Sequence, residues 1–366
     1  MAGNVFGKNF RIMTYGESHG KAIGVVVDGV PAGLELSEED IQVYLDRRKP
    51  GNSKFATQRA EADLVHILSG VFEGKTTGTP ISLMINNTDH HSADYSDIMS
   101  YYRPGHADFT FDEKYGFRDY RGGGRSSGRE TAARVAAGAI AIKILNSLGI
   151  KITGYVKSIG TIESNPDNID LAFSKDNELC MADRSAYEKA CAYLEEAIKN
   201  CDSCGGVVEC IINGMPTGVG EPVFDKISAN LAKAIFSIGA VKGFELGDGF
   251  NASKNNGSVN NDSFRMADGK VVKATNHSGG TLGGMSDGSD IVFRTAFKPT
   301  PSIFSTQQTV NKSGEDIDIN IKGRHDPIVC ARAVVVVESM AAMTILDALI
   351  ENMSARMDYL TDFYKA

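Results

Sequence analysis

The alternation of apolar and polar positions shows the same pattern twice along the chain. Residues 18–34 and 203–219 each contain an apolar run followed by a G-x-P-x-G turn, at a constant offset of 185 residues. Five of the seventeen aligned positions are identical, and all five are turn residues. An apolar run bounded by glycine and proline predicts a strand that ends in a tight turn. We therefore predict an internal duplication.

A helical pattern follows each copy of this strand. Ser37-Glu-Glu-Asp40 resembles a capping box, and residues 227–238 carry an apolar face. Later in each half a Gly-Arg pair precedes a long helix, predicted over 130–148 and 331–353, although the β-branched residues 334–337 would also suit a strand. The small residues between 132 and 139 would let the first long helix pack closely against its neighbours.

These elements predict an internally duplicated α+β fold, with the long helices in a shared core and the β-rich segments outside. The β-α-β order of a doubly wound parallel sheet is not evident. We expect one domain over residues 1–366, built from two repeats at about 1–160 and about 200–366. Between them, 165–199 is charged and helix-prone, while 251–262 is a polar loop that we expect to be mobile.

Composition and charge narrow the function. The 366 residues include 46 acidic side chains against 38 Lys plus Arg, a net charge of −8, which argues against a clamp for nucleic acid. Hydrophobic residues make up 42% of the chain, enough for a core. The first residues do not resemble a secretory signal, and no apolar run approaches the roughly 20 residues of a membrane helix. We expect a cytoplasmic protein without membrane contact.

Cysteine usage predicts reduced thiols rather than a disulfide framework. Six Cys are spread over a long chain, and one pair, Cys201 and Cys204, is spaced C-x-x-C. This pair has no second C-x-x-C and no nearby His. A zinc or redox site is therefore disfavoured, and no metal site is predicted.

Glycine is enriched, with 39 in the chain, and the densest candidate chemistry is Gly-rich. Residues 118–131 contain three consecutive Gly, two Ser and several Arg just before the first long helix. Free backbone N–H groups at a helix start, with Arg125 and Arg129 four residues apart, predict a phosphate cradle. The alternative is a solvated surface turn. Five cations within 47–59 could complete a positive pocket for a small polyanion.

Two of the seven histidines lie on loops beside flexible backbone. His19 follows Tyr15-Gly-Glu-Ser, and His106 follows Arg103-Pro-Gly. Imidazole suits proton transfer near neutral pH, although a structural role is equally open for either His taken singly. In the repeat, Cys204 stands where His19 does, so the fold does not need imidazole there. A Ser-His hydrolase is disfavoured because the chain has no G-x-S-x-G elbow.

Two later segments add candidate groups. Residues 276–288 are Gly-rich and are followed by Lys298-Pro-Thr-Pro-Ser302, a backbone that could lie against a planar ring or wrap a phosphate. In Gly323-Arg-His-Asp-Pro327, Arg324 and Asp326 precede the second long helix. A paired arginine would lower the pKa of Asp326 and keep its carboxylate available as a base.

Taken together, these motifs resemble the chorismate synthase family. The corresponding blocks occur in order over nearly the whole chain: 15–20, 47–51, 103–108, 122–131, 279–284, 298–300 and 323–327. The resemblance implies conversion of 5-enolpyruvylshikimate 3-phosphate to chorismate by 1,4-anti elimination of phosphate, in aromatic amino acid biosynthesis. It also implies reduced FMN without net redox change, and a homotetramer whose subunits place helices between antiparallel β-sheets.

The resemblance also implies roles for individual residues. His19 would protonate the departing phosphate, His106 would lie near the pyrimidine edge of the flavin, and Asp326 would be the associated base. Arg48 and Arg129 would neutralise the substrate, and Arg48 and Lys54 are candidates for NADPH contact. The implied FMN contacts are Arg125, Ser126, Ser127, Gly239, Ala240, Gly283, Lys298, Pro299, Thr300, Pro301, Ser302 and Arg324.

Two positions depart from the family pattern. Lys54 stands where many relatives carry Arg, which keeps the charge but loses the two-pronged donor, and Gly239 stands where Asn is common. The predicted phosphate-binding segments would also suit two other functions. One is a flavin- or NAD(P)-dependent oxidoreductase acting on a small phosphorylated anion, and the other is a non-catalytic binding protein. The sequence leaves open whether the protein reduces its own flavin or depends on a separate flavin reductase.

Overall fold

The computed structural model describes residues 3–49, 51, 55, 62–87, 97–321 and 326–365. Two five-stranded antiparallel sheets dominate it. The first has the order β1 (Val5–Phe6), β2 (Arg11–Gly16), β3 (Ala22–Asp28), β7 (Ile81–Asn86) and β4 (Val65–Ile67). Alternate residues of β3 and β7 are buried, as strands with one face on a core require.

The second sheet has the order β11 (Val241–Leu246), β16 (Ile291–Phe297), β10 (Gly206–Asn213), β8 (Lys151–Ile159) and β9 (Ile162–Glu163). β3 and β10, the two copies of the repeated strand, are the middle strands of their sheets. β8 lies within the stretch that we had assigned to the first repeat, but it pairs with β10 in the second sheet.

The turn after each repeated strand has the same geometry. Gly29 and Gly214 have φ of 84° and 82°, and Gly33 and Gly218 have φ of 91° and 89°. Glycine alone adopts such angles without strain. In each half a hydroxyl donates to the carbonyl of the turn proline: Thr76 to Pro31 at 2.6 Å and Ser286 to Pro216 at 2.5 Å.

Four helices form the core between the sheets. These are α1 (Glu38–Arg48), α3 (Thr131–Ser147), α6 (Ile227–Phe236) and α8 (Cys330–Asn352). The observed fold is therefore α+β, with helices between antiparallel sheets as expected. Ser37 and Asp40 cap α1 reciprocally, which confirms the predicted capping box. The β-branched residues 334–337 are helical and buried, because the packing of α8 overrides their strand preference.

α3 and α8 pack closely through small residues. A Cβ added at Gly138 would lie 2.3 Å from the Cβ of Ser339, so the two helices approach at a distance that only glycine permits. The predicted close packing of α3 is thus confirmed. By length and composition α8 could cross a membrane, which differs from the sequence expectation, but most of its apolar window is buried inside the protein.

Outside the two sheets and the core helices, the described residues form four two-stranded hairpins and five further α-helices, of which the longest has 16 residues. Four hairpins are β5 (Val71–Phe72) with β6 (Lys75–Thr76), β12 (Phe264–Ala267) with β13 (Lys270–Lys273), β14 (Thr281–Leu282) with β15 (Met285–Ser286), and β17 (Gln307–Val310) with β18 (Asp316–Ile319). The other helices are α2 (Asp108–Tyr115), α4 (Phe173–Asp176), α5 (Arg184–Lys199), α7 (Gly257–Asn260) and α9 (Met357–Lys365). The segment 251–262, predicted as an irregular loop, contains α7 and part of a 3₁₀ turn over Gly249–Lys254.

Candidate active site

His19 lies in the turn between β2 and β3. The turn is closed by the N–H of Gly20, which donates to the carbonyl of Glu17 at 3.1 Å. The imidazole is half-buried, and its Nδ1 lies 3.0 Å from the hydroxyl of Ser18. A Cβ added at Gly122 would be 2.4 Å from Nδ1 and Cε1 of His19. The Gly-rich segment therefore packs directly on the imidazole, and a glycine is needed at this contact.

The Gly-rich segment forms two 3₁₀ turns, Gly124–Ser126 and Gly128–Glu130, before α3 begins. Arg125 and Arg129 precede the helix, so they do not share one helical face. The hydroxyl of Ser126 donates to the carbonyl of Gly123 at 2.7 Å, and the hydroxyl of Ser127 accepts from the N–H of Arg129 at 3.3 Å. Both hydroxyls therefore stabilise the turn itself. The predicted phosphate cradle did not include this structural role.

Arg125 points toward β2. Its guanidinium donates to the carbonyl of Gly16 at 3.1 Å, to the hydroxyl of Thr14 at 2.6 Å and to the side chain of Asn4 at 3.1 Å. Glu130 lies 3.7 Å from it. Arg125 therefore fixes the Gly-rich segment to the strand that leads into the His19 turn.

Arg48 and Arg129 meet at a buried carboxylate that the sequence did not single out. Asp63 forms an ion pair with Arg48 and another with Arg129 at 2.7 Å. Arg48 is 2% exposed and Arg129 is 6% exposed. Burial works to raise the pKa of Asp63, but the two guanidinium groups outweigh it and hold this pKa below its usual range. No motif marks Asp63, because the two arginines that define its role are distant in sequence.

His106 lies in a second loop, which Arg103 and Asp108 close with a buried ion pair at 2.8 Å. Nδ1 of His106 is 3.0 Å from the carbonyl of Pro104, and Nε2 is 3.0 Å from the hydroxyl of Ser302. Burial first, and then the charge of Arg103, lowers the pKa of His106 to about 4. At neutral pH the ring is thus uncharged. Because a carbonyl can only accept, Nδ1 carries the proton and Nε2 accepts from Ser302.

The structure brings several predicted FMN contacts together around His106. The ammonium of Lys298 donates to the carbonyl of Gly105 at 2.7 Å, and its backbone N–H donates to the carbonyl of Ala240 at 2.9 Å. A Cβ added at Gly105 would lie 2.7 Å from Pro301. Residues 239–240 and 298–302 therefore form one surface with the His106 loop.

Asp326 pairs with an arginine that the sequence did not indicate. Its carboxylate accepts from Arg332, which also donates to the carbonyl of Arg48 at 3.1 Å. The next residue, Pro327, accepts from the N–H of Cys204 at 3.0 Å. Two site residues predicted from the sequence, Arg324 and Lys54, lie outside the described residues, so the expected pairing of Arg324 with Asp326 stays a prediction.

Two chains of contacts link the regions of His19 and His106. Glu130 pairs with Arg134 at 2.8 Å, and Arg134 donates to the hydroxyl of Ser237 at 2.7 Å, two residues before Gly239. The second chain of contacts continues from Arg332, Asp326 and Pro327, described above, to Cys204. Ser203, the neighbour of Cys204, then donates to the carbonyl of Thr300 at 2.6 Å. The two regions are therefore parts of one connected framework.

Gly283 is not brought into this group. It lies in the β14–β15 turn, whose Gly284 carbonyl accepts from the N–H of Ile227 at the start of α6. Ala240 follows the other end of α6, whose ten residues form a helix about 15 Å long. Within one chain, the predicted FMN contacts among the described residues thus fall into three groups: the surface around His106, residues 125–127 of the Gly-rich segment, and Gly283 in its own turn.

Comparison with known proteins matches the chain to one family. The model of the chorismate synthase family matches residues 10–350. Curated proteins named chorismate synthase from Agathobacter rectalis and Methanosarcina barkeri are 67% and 53% identical, over 100% of both chains for the first and 96% of this chain and 97% of the relative for the second. A crystal structure of a chorismate synthase superposes with a TM-score of 0.77 at 33% identity, covering 98% of this chain and 97% of that one. The chain belongs to the chorismate synthase family.

Proposed function

We propose that this chain uses His19 as the proton donor to the departing phosphate in the reaction of its family. That reaction, a carbon–oxygen lyase step of aromatic amino acid biosynthesis, converts 5-enolpyruvylshikimate 3-phosphate to chorismate and phosphate. The observation that carries the assignment is the position of His19, in contact with Gly122 of the Gly-rich segment and with the hydroxyl of Ser18. A half-buried imidazole in a short turn can approach a phosphate oxygen and transfer a proton near neutral pH.

The family needs reduced flavin, and we propose that the surface formed by His106, 239–240 and 298–302 binds FMN. Three observations support the fit. The hydroxyl of Thr300 is buried and has no hydrogen-bond partner among the described residues. No described atom lies within 4 Å of a Cβ added at Gly239, which leaves room beside this backbone. His106 offers a neutral ring with a fixed tautomer. Reduced FMN, when bound, supplies electron density to the substrate as phosphate leaves.

His106 and Asp326 are proposed to accept different protons. The N–H of His106 is engaged by Pro104, so Nε2 is the atom that can exchange Ser302 for a ligand group. An anionic ligand group beside the ring would raise its pKa and let Nε2 take up a proton. Asp326, oriented by Arg332, is our candidate for the base that accepts the ring proton of the substrate. A carboxylate held by a guanidinium stays in one orientation.

Arg48 and Arg129 bring two guanidinium groups together inside an otherwise acidic protein. We propose that these guanidinium groups bind the phosphate and carboxylates of the substrate. Arg48 and Lys54 remain our proposed contacts for NADPH, which would act as the reductant of the flavin. A separate flavin reductase is the alternative source of electrons.

We also propose that the chain is a single cytoplasmic domain of two repeats that assembles as a homotetramer. The pairing of β8 in the second sheet supports a boundary between the repeats nearer residue 150 than 160. Large apolar side chains remain exposed in the single chain, on β12 and β13 and on α9: Phe264, Met266, Val271, Met357, Phe363 and Tyr364. Surfaces of this kind favour self-association.

An anaerobic assay with 5-enolpyruvylshikimate 3-phosphate and chemically reduced FMN tests the proposal. We expect chorismate and phosphate to appear in equal amounts without net flavin oxidation. His19→Gln should lower kcat by about a hundredfold or more while FMN affinity stays the same. Near-normal turnover by a folded His19→Gln variant would remove His19 as the acid, and stoichiometric flavin oxidation would support the oxidoreductase instead.

A further inference from the structure

Asn87, directly after β7, contacts both ends of the His19 turn. Its side-chain N–H groups donate to the carbonyl of Glu17 at 2.9 Å and to the carbonyl of Gly20 at 2.8 Å. Its backbone N–H donates to the carbonyl of Lys21 at 3.1 Å. Asn87 is 7% exposed. The carboxamide therefore spans the two residues, Ser18 and His19, that carry the candidate chemistry.

The partners of Asn87 determine the orientation of its carboxamide. Its Oδ1 accepts from Nε of Arg129 at 2.5 Å, whereas Nδ2 faces two carbonyl oxygens. The flipped carboxamide would place oxygen against both carbonyls and N–H against a guanidinium, which loses all three bonds. An aspartate of the same shape would keep the contact with Arg129 but could not donate to the turn.

Arg129 is itself held rigidly. Its Nη1 pairs with Asp63 at 2.7 Å, its Nη2 donates to the carbonyl of Asn86 at 3.2 Å, and Asp63 also pairs with Arg48. A buried ion network with these contacts resists displacement, because separating its charges leaves one of them unpaired. Asn87 connects this network to the His19 turn.

We propose that Asn87 is a positioning residue, which fixes the direction of the His19 imidazole through the carbonyls of Glu17 and Gly20. The inference rests on the proposed role of His19 as the proton donor. Proton transfer requires the donor atom within hydrogen-bond distance of its acceptor, so a displaced turn lowers kcat even when substrate still binds. No sequence motif marks Asn87, since Asn86-Asn87 contains no pattern associated with His19.

Asn177 provides a matched control. Its side chain also donates to two carbonyls, of Phe173 at 2.7 Å and Met181 at 2.8 Å, and its oxygen accepts from the N–H of Leu179 at 3.2 Å. It holds a turn after α4, in a part of the chain where no site residue is proposed. Asn177→Asp therefore removes the same bonds as Asn87→Asp without touching the His19 turn.

The experiment compares Asn87→Asp with Asn177→Asp in full-length protein with reduced FMN. We expect Asn87→Asp to lower kcat by about 10- to 100-fold with KM for the substrate changed by less than about threefold. Asn177→Asp should keep kcat within about twofold, while both variants lose thermal stability. Equal losses of kcat in the two variants, or a loss in Asn87→Asp that lies entirely in KM, would overturn the inference.

A double-mutant cycle with His19→Gln separates this inference from the proposed function. If Asn87 acts through His19, Asn87→Asp should cost less than about twofold in the His19→Gln background. An undiminished loss in that background overturns the positioning role. If His19→Gln alone retains normal turnover, the proposed acid fails whatever Asn87→Asp does. Should Asn87→Asp not fold, Asn87→Ser, which keeps one donor and adds no charge, enters the same cycle with the same criteria.

Discussion

The two loops that carry His19 and His106 hold the same side chain in opposite ways. His19 is half-buried in a short turn, next to the hydroxyl of Ser18 and against Gly122. His106 is held at both ring nitrogens, and burial lowers its pKa to about 4. The environment, not the residue type, thus decides what an imidazole can do. The second loop holds a neutral, oriented ring, whereas proton donation by His19 in the first loop is our proposal.

Gly122→Ala, which acts on the loop that carries His19, is the substitution with the largest expected effect. In Gly122→Ala the new methyl would overlap the imidazole, so His19 must move away from its acceptor, and we expect kcat to fall by a hundredfold or more. Gly128→Ala is the matched control, because no described atom lies within 4 Å of its added Cβ. The measurement is kcat of both variants from steady-state kinetics. Similar losses of kcat in both variants would show that the Gly-rich segment tolerates a side chain at neither position. The loss in Gly122→Ala would then not result from its contact with His19.

His106→Ala tests the second loop with the next largest effect. We expect turnover to fall by roughly 10- to 100-fold while the folded protein still binds FMN, since the ring is proposed to adjust protonation and not to supply the main binding energy. FMN binding by fluorescence and turnover in the anaerobic assay are measured on the same sample. Near-normal turnover in the variant would remove His106 from the chemistry.

Two substitutions, one in each region, test whether the two regions bind different molecules. Arg48→Lys keeps the charge but loses the planar fork, so KM for the substrate should rise about 5- to 10-fold with FMN affinity unchanged. Lys298→Met removes the ammonium that donates to the carbonyl of Gly105, so it should weaken FMN binding by a similar factor and leave substrate KM nearly unchanged. If each variant alters both affinities equally, the two regions do not bind different molecules.

The smallest expected effect is on stability in acid. The pKa of His106 is about 4 in the folded chain against an ordinary value of 6.5. As the pH falls below 6.5 the unfolded chain gains a proton that the folded chain does not, so stability is lost down to about pH 4. Between pH 7 and pH 5, His106→Gln should therefore lose about 2–4 °C less in Tm than the parent. An identical loss of Tm in His106→Gln and in the parent would contradict the buried neutral ring.

Much of the fold could be predicted from local pattern. The repeated strand and its G-x-P-x-G turn, the Ser37 capping box and the apolar core helices all follow from spacing rules that act within a few residues. The assignment of β8 to a sheet could not be predicted in this way, since strand pairing joins segments about 55 residues apart. The two short helical turns within 249–260 lie in a stretch of polar residues, where no apolar periodicity marks a helix.

The sequence by itself determined which residue types are available for chemistry: two histidines on loops, Gly-rich segments and clustered arginines in an acidic chain. The tertiary structure alone decided their partners. Arg48 and Arg129 share Asp63, Asp326 pairs with Arg332, and Asn87 reaches across to the His19 turn. These contacts join residues that are 6 to 70 positions apart, and they depend on burial. Spacing rules cannot specify such contacts, because ion pairs and hydrogen bonds in a core are selected by the packing of whole elements.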